Sequence, residues 1–163
     1  MMTLHAFTVF HVTLSLIGIF SGIVVVFGMV LSMRLKLVTA LFLITTVLTS
    51  VTGFFFPYHG VTPAIIVGIV SLVVLLGAIL ARHTFHLAGN WRWIYVVCSV
   101  IALYLNVFVA VVQSFMKVPA LHALAPTQSE PPFKIAQLVV LVIFLILGVL
   151  AVRKFHPAPV PEP

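Results

Sequence analysis

The sequence predicts an all-α membrane protein, five transmembrane helices packed in one bundle. Three observations carry that prediction. Hydrophobic residues make up 63% of the chain and charged residues 6%. A water-soluble domain carries roughly 25% charged residues, because it must cover its surface with them. In lipid the solvent itself is apolar and charge is costly. Second, five apolar stretches fill almost the whole chain. Third, the eight Lys and Arg residues fall singly or in pairs at the ends of those stretches, in alternating connections. The net charge of +6 therefore reports topology. It is not gathered into a patch that could track phosphates, so nucleic acid is excluded as a partner.

The first span runs from about Phe7 to Met33 and stops at Arg34 and Lys36. The second runs from Leu37 to Phe56 and stops at Pro57. The third runs from Pro63 to Ala81, ahead of Arg82. The fourth runs from Trp93 to Met116, ahead of Lys117. The fifth runs from Phe133 to Val152, ahead of Arg153 and Lys154. Each is about 19–27 residues, enough to cross a ~30 Å hydrocarbon core at 1.5 Å per residue. Strict alternation of the barrel-strand kind is missing, and only helices satisfy their own backbone in lipid. Residues 1–155 thus form one transmembrane domain. The tail 156–163 has Pro at alternate positions and reads as an extended stub.

Arg34 and Lys36, Arg82 and Arg92, and Arg153 and Lys154 all fall on one side if there are five crossings. Lys117, Glu130 and Lys134 belong to the other. The positive-inside rule then puts the N-terminus outside and the C-terminus in the cytoplasm. Trp91, Trp93 and Tyr95 suit an interfacial belt on the inner side, and the run Phe54 to Tyr58 suits one on the outer side. The first span lacks the basic leader and small-residue cleavage site of a signal peptide. Cys98 is the single cysteine, so no intrachain disulfide forms. No internal repeat is visible.

Polar residues inside the spans are the functional candidates. Gly18 and Gly22 make a GxxxG, with Gly28 and Ser32, and Ala64 and Gly68, spaced likewise. Such pairs serve either a homodimer face or packing within the chain. Thr45, Thr49 and Thr52 share a face of the second span. They either line a wet cavity or bond their own helix. On the fourth span Ser99, Ala102, Asn106, Ala110 and Gln113 form one stripe. Asn106 lies near mid-bilayer, where an unpaired amide is costly. It is either a clamp between helices or the wall of a ligand site.

His11 is the only histidine well inside a span, about 6–8 Å below its outer end. Gln113 and Gln137 lie about 5–6 Å below Lys117 and Lys134. The three share a depth on three helices, and polar groups at such depth are site candidates. The ligand site expected is therefore His11, Asn106, Gln113 and Gln137, roofed by Tyr58, His59 and the loop bearing His122 and Glu130. The imidazole is expected to face the bundle and reach one of the glutamines. The competing reading has His11 snorkelling from the lipid face.

Several chemistries bear on that site. A quinone head group suits an imidazole with amide donors. Haem b needs a second axial histidine. A metal could draw on His5, His59, His122 and Glu130, though no ligand spacing supports it. His83 and His86 read as interfacial residues. Nucleophilic catalysis finds no motif, so the reading leans away from an enzyme. A channel or carrier lacks the charged residues of an ion path.

The stretches Ser50 to Pro57, Trp91 to Val97 and Pro119 to Pro126 resemble small, functionally unassigned inner-membrane proteins of proteobacteria. The resemblance spans most of the chain. It implies a multi-pass protein of the bacterial inner membrane and transfers no activity. The expectation is a non-enzymatic accessory or small-ligand-binding membrane component. The alternatives are a redox-linked protein binding quinone or haem b, and a small channel or carrier. Expected partners are the lipid bilayer and a second copy or a larger membrane complex.

Overall fold

The computed structural model describes residues 3–57 and 62–157, and every described element is helical. Helix α1 spans Leu4–Val30. Thr3 caps it, its Oγ1 accepting the Ala6 N–H at 3.3 Å, which satisfies one of the orphan donors of a first turn. Helix α2 spans Lys36–Gly53. Helix α3 spans Pro63–Ile79, with Thr62 as cap and Pro63 in the first turn, where a missing N–H costs nothing. Helix α4 spans Trp91–Lys117, the short α5 spans Pro119–Leu124, and α6 spans Pro131–Lys154.

The five long helices are long and apolar enough to cross a membrane, the architecture of a multi-pass membrane protein. Their bounds differ from the sequence expectation at the ends. α1 begins and ends earlier, because Thr3 supplies a cap and Ser32 turns left-handed at φ 57°. α2 stops at Gly53, and the Phe54 to Phe56 run forms turns ahead of Pro57. α3 continues into one π turn, Leu80–Thr84, closed by the Phe85 N–H on the Leu80 carbonyl at 3.0 Å. The apolar pattern alone gave no sign of that turn or of α5.

α1 packs against α2, α4 and α6, while α3 packs against α2 and α4. Helices α1 to α4 therefore form a ring, and α6 sits in the groove between α1 and α4. Small residues set these approaches within the chain. A Cβ at Gly22 would meet Leu103 at 2.7 Å and Phe42 at 2.8 Å, and one at Gly68 would meet Phe54 at 2.9 Å. The first GxxxG thus faces α2 and α4 of its own chain.

The core is uneven. Val25, Val26, Met29, Phe42, Tyr95, Val96, Leu103 and Phe155 are buried together toward the end that carries Arg34, Arg82, Arg92 and Arg153. This is called the basic end below. Among the described residues, Phe115 and Ala125 are the buried hydrophobic ones near the opposite, far end. α6 buries Ala151 alone.

Candidate functional site

His11 occupies the same stripe of α1 as Gly18 and Gly22, two and three turns on. That stripe faces the bundle. Its Nδ1 lies 2.8 Å from Thr52 Oγ1 on α2. The Thr52 hydroxyl has one proton, and it donates that to the Leu48 carbonyl at 2.7 Å. Thr52 Oγ1 must then accept from His11 Nδ1–H, which leaves Nε2 as the ring's acceptor. Phe56 stands edge-on to the imidazole at 5.1 Å between centroids, and Phe7 packs on Phe56 at 5.0 Å. His11 faces inward, as the sequence suggested. Its hydrogen-bond partner is Thr52 rather than Gln113 or Gln137, because α2 is the helix that α1 follows most closely and Thr52 lies at the matching depth.

Asn106 sits at the junction of three helices. Its Nδ2 donates to Thr46 Oγ1 on α2 at 3.4 Å. Gly18 of α1 makes the room. A Cβ there would stand 3.0 Å from Thr46 Oγ1 and 3.2 Å from Asn106 Nδ2. The Thr45, Thr49 and Ser50 hydroxyls are satisfied by their own helix. Thr45 donates to Leu41, Thr49 to Thr45 and Ser50 to Thr46, at 2.7, 2.8 and 3.0 Å. These are the back-bonds that let a hydroxyl sit inside an apolar helix. The Thr45, Thr49 and Thr52 face is thus a row of self-satisfied hydroxyls, of which Thr52 has an oxygen to spare for His11. Ser99 is fully buried and its Oγ has no partner.

Toward the far end, Gln137 Nε2 donates to the Phe108 carbonyl of α4 at 3.2 Å. Gln137 Oε1 is buried with no donor facing it. Gln113, half-buried, lies two turns beyond Asn106 on the same stripe. The chain from Val118 to Glu130 folds back over this end of α4. His122 donates to the Phe115 carbonyl at 3.3 Å, and Gln128 Nε2 to that of Val112 at 3.0 Å. The Glu130 carboxylate closes the loop. It accepts from Thr127 N–H at 3.1 Å, Thr127 Oγ1 at 2.8 Å and Ser129 N–H at 3.0 Å. Desolvation pushes its pKa up, these hydrogen bonds pull it down, and the net is below the ordinary 4.5.

Three of the candidates are thus joined to a neighbouring helix, His11 and Asn106 to α2 and Gln137 to α4. Tyr58 and His59 lie outside the described residues. Of the weak metal candidates, His5 and His122 are both exposed. Among the described residues, no group of three His, Cys, Asp or Glu stands close enough to share an ion.

A separate groove of about 430 Å³ runs between α1 and α2, lined by Thr13, Leu16, Phe20, Val24, Val38 and Leu41 among others. On α1 those residues occupy the face opposite the His11, Gly18 and Gly22 stripe. The Thr13 hydroxyl donates to its own helix at 2.8 Å. The groove is lined almost wholly by apolar side chains.

Comparison with known proteins finds no matching family model, no similar curated protein and no similar solved structure.

Proposed function

We propose that the protein is a non-enzymatic, multi-pass component of a bacterial inner membrane that binds a small ligand in its outer half. The basic end is the cytoplasmic one in this reading, by the charge rule. The single observation that carries the reading is the buried, unpaired Gln137 Oε1. A buried acceptor without a donor costs about 1–3 kcal/mol, and a ligand hydroxyl or amide removes that cost. His11 Nε2 is a second acceptor in the same half of the bundle.

A quinone is the alternative guest. Its carbonyls call for donors, which the Gln113 amide offers, while His11 presents an acceptor. The apolar groove lies on the other face of α1, so a quinone tail bound near His11 would have to leave by a different route. The Asn106 contact with Thr46 supports the accessory reading, in which the polar residues fasten helices.

Exhaustive detergent washing tests the proposal. The parent protein should lose several degrees of thermal midpoint on washing and regain them with an organic extract of its membranes. Gln137→Leu and His11→Ala should begin at the washed value and regain nothing. A parent indifferent to both washing and extract contradicts ligand binding.

A further inference from the structure

A second polar cluster lies at the basic end, remote from His11 and Gln137. Arg34 comes from the α1–α2 turn, Arg82 from the π turn, and Tyr95 from the first turns of α4. All three line one cavity of about 10 Å³, with Thr39 on its wall. That is about the room one water or one phosphate oxygen occupies. Arg34 Nε is buried and meets no acceptor. Arg82 Nη1 donates to the Tyr95 hydroxyl at 3.3 Å, and the guanidinium carbon stands 5.7 Å from the Tyr95 ring centre. Phe155, 2% exposed, closes the cavity beside Tyr95. Arg92 holds the Phe155 carbonyl, and the His156 N–H donates to Ser32 Oγ at 2.9 Å. The wall is thus tied to both the α1–α2 turn and α4.

Two guanidinium groups facing one cavity repel, and a buried donor without an acceptor is costly. A carboxylate would resolve both. The chain has two acidic residues. Glu130 stands at the far end, and Glu162 lies outside the described residues. Among the described residues, no carboxylate serves this cavity. Guanidinium forks match phosphate oxygens in geometry and charge. The cluster also sits where helix ends meet the polar zone of a bilayer, the depth of lipid phosphates.

We propose that Arg34, Arg82 and Tyr95 form a phosphate-binding site, one oxygen entering the cavity between the two arginines. A phospholipid head group and free phosphate present the same oxygen, and the experiment separates them. The protein in neutral detergent is titrated with phosphatidylglycerol, phosphatidylcholine or sodium phosphate. Binding is read by native mass spectrometry and by thermal midpoint.

Phosphatidylglycerol should bind one molecule per chain most tightly. Arg34→Gln and Arg82→Gln should each weaken it about tenfold, the worth of a charge-assisted hydrogen bond. Arg34→Lys and Arg82→Lys, which keep the charge and favour folding, should retain more binding than their Gln counterparts. Lys154→Gln should leave that first molecule unchanged. Protection by sodium phosphate that both Gln variants lose assigns the site to free phosphate. Equal binding of phosphatidylcholine, or phosphate and phosphatidylglycerol binding that neither arginine change weakens, overturns the proposal.

Discussion

Gly22→Ala tests the helix packing at its tightest point. The added methyl would lie 2.7 Å from Leu103 Cδ1 and 2.8 Å from two ring carbons of Phe42. Carbon atoms settle at about 3.5–4.0 Å, so α1 must move off by roughly 1 Å or both neighbours must leave their rotamers. Neither has room, since Phe42 is 0% and Leu103 1% exposed. Overpacking of this kind costs about 1–3 kcal/mol. The better helix propensity of alanine does little to offset it, because separated helices in lipid remain helical. Gly148→Ala is the control, its methyl meeting Val100 at an ordinary 3.5 Å. Unfolding in mixed micelles should show Gly22→Ala less stable by that amount and Gly148→Ala within about 0.5 kcal/mol of the parent. A Gly22→Ala protein as stable as the parent, or an equal loss at Gly148, refutes the ring of α1, α2 and α4.

Asn106→Leu should cost about 1 kcal/mol, the worth of an interhelical hydrogen bond in lipid. Gly18→Ala should cost more in the parent than in an Asn106→Ala background, because the new methyl and the amide compete for one space; additive losses in a double-mutant cycle would contradict that. Glu130 has a folded pKa below its unfolded one, so its hold on the Thr127–Ser129 loop is full above about pH 4.5 and is lost as pH falls through the folded value. Protection of the Thr127 and Ser129 amides from hydrogen exchange, taken relative to the intrinsic rate at each pH, should therefore be held at neutral pH and fall in acid, and Glu130→Gln should remove that pH step. On a Cys98→Ala background, Ser129→Cys should react with an impermeant thiol reagent from the periplasm and Ala88→Cys should not; the reverse pattern turns the proposed orientation over.

The five spans were legible because burial in lipid leaves a continuous apolar run, and each run ended at Arg, Lys or Pro. Their caps were less so: the start of α1 depends on Thr3, and the end of α3 on a π turn that leaves no periodic trace in residues 80–84. The inward face of His11 was legible because an imidazole at that depth needs polar partners. Its partner was not, since depth alone does not tell Thr52 on α2 from Gln113 on α4. Depth matched the glutamines, but neighbouring helices decide which groups meet. The Thr45, Thr49 and Thr52 hydroxyls bond back to their own helix, the plainer of the two readings. The Arg34 and Arg82 cluster was not legible in the sequence, because topology alone accounts for arginines at span ends. Only the fold shows that the α1–α2 turn and the π turn bring two of them to one cavity with Tyr95.

Native mass spectrometry of the protein released from mild detergent tests the ligand proposal most directly. The account predicts a chain carrying one non-phospholipid adduct of discrete mass, present in the parent and lost from both Gln137→Leu and His11→Ala while Lys154→Gln retains it. A bare chain, or phospholipid adducts alone that are the same in all four proteins, would contradict it.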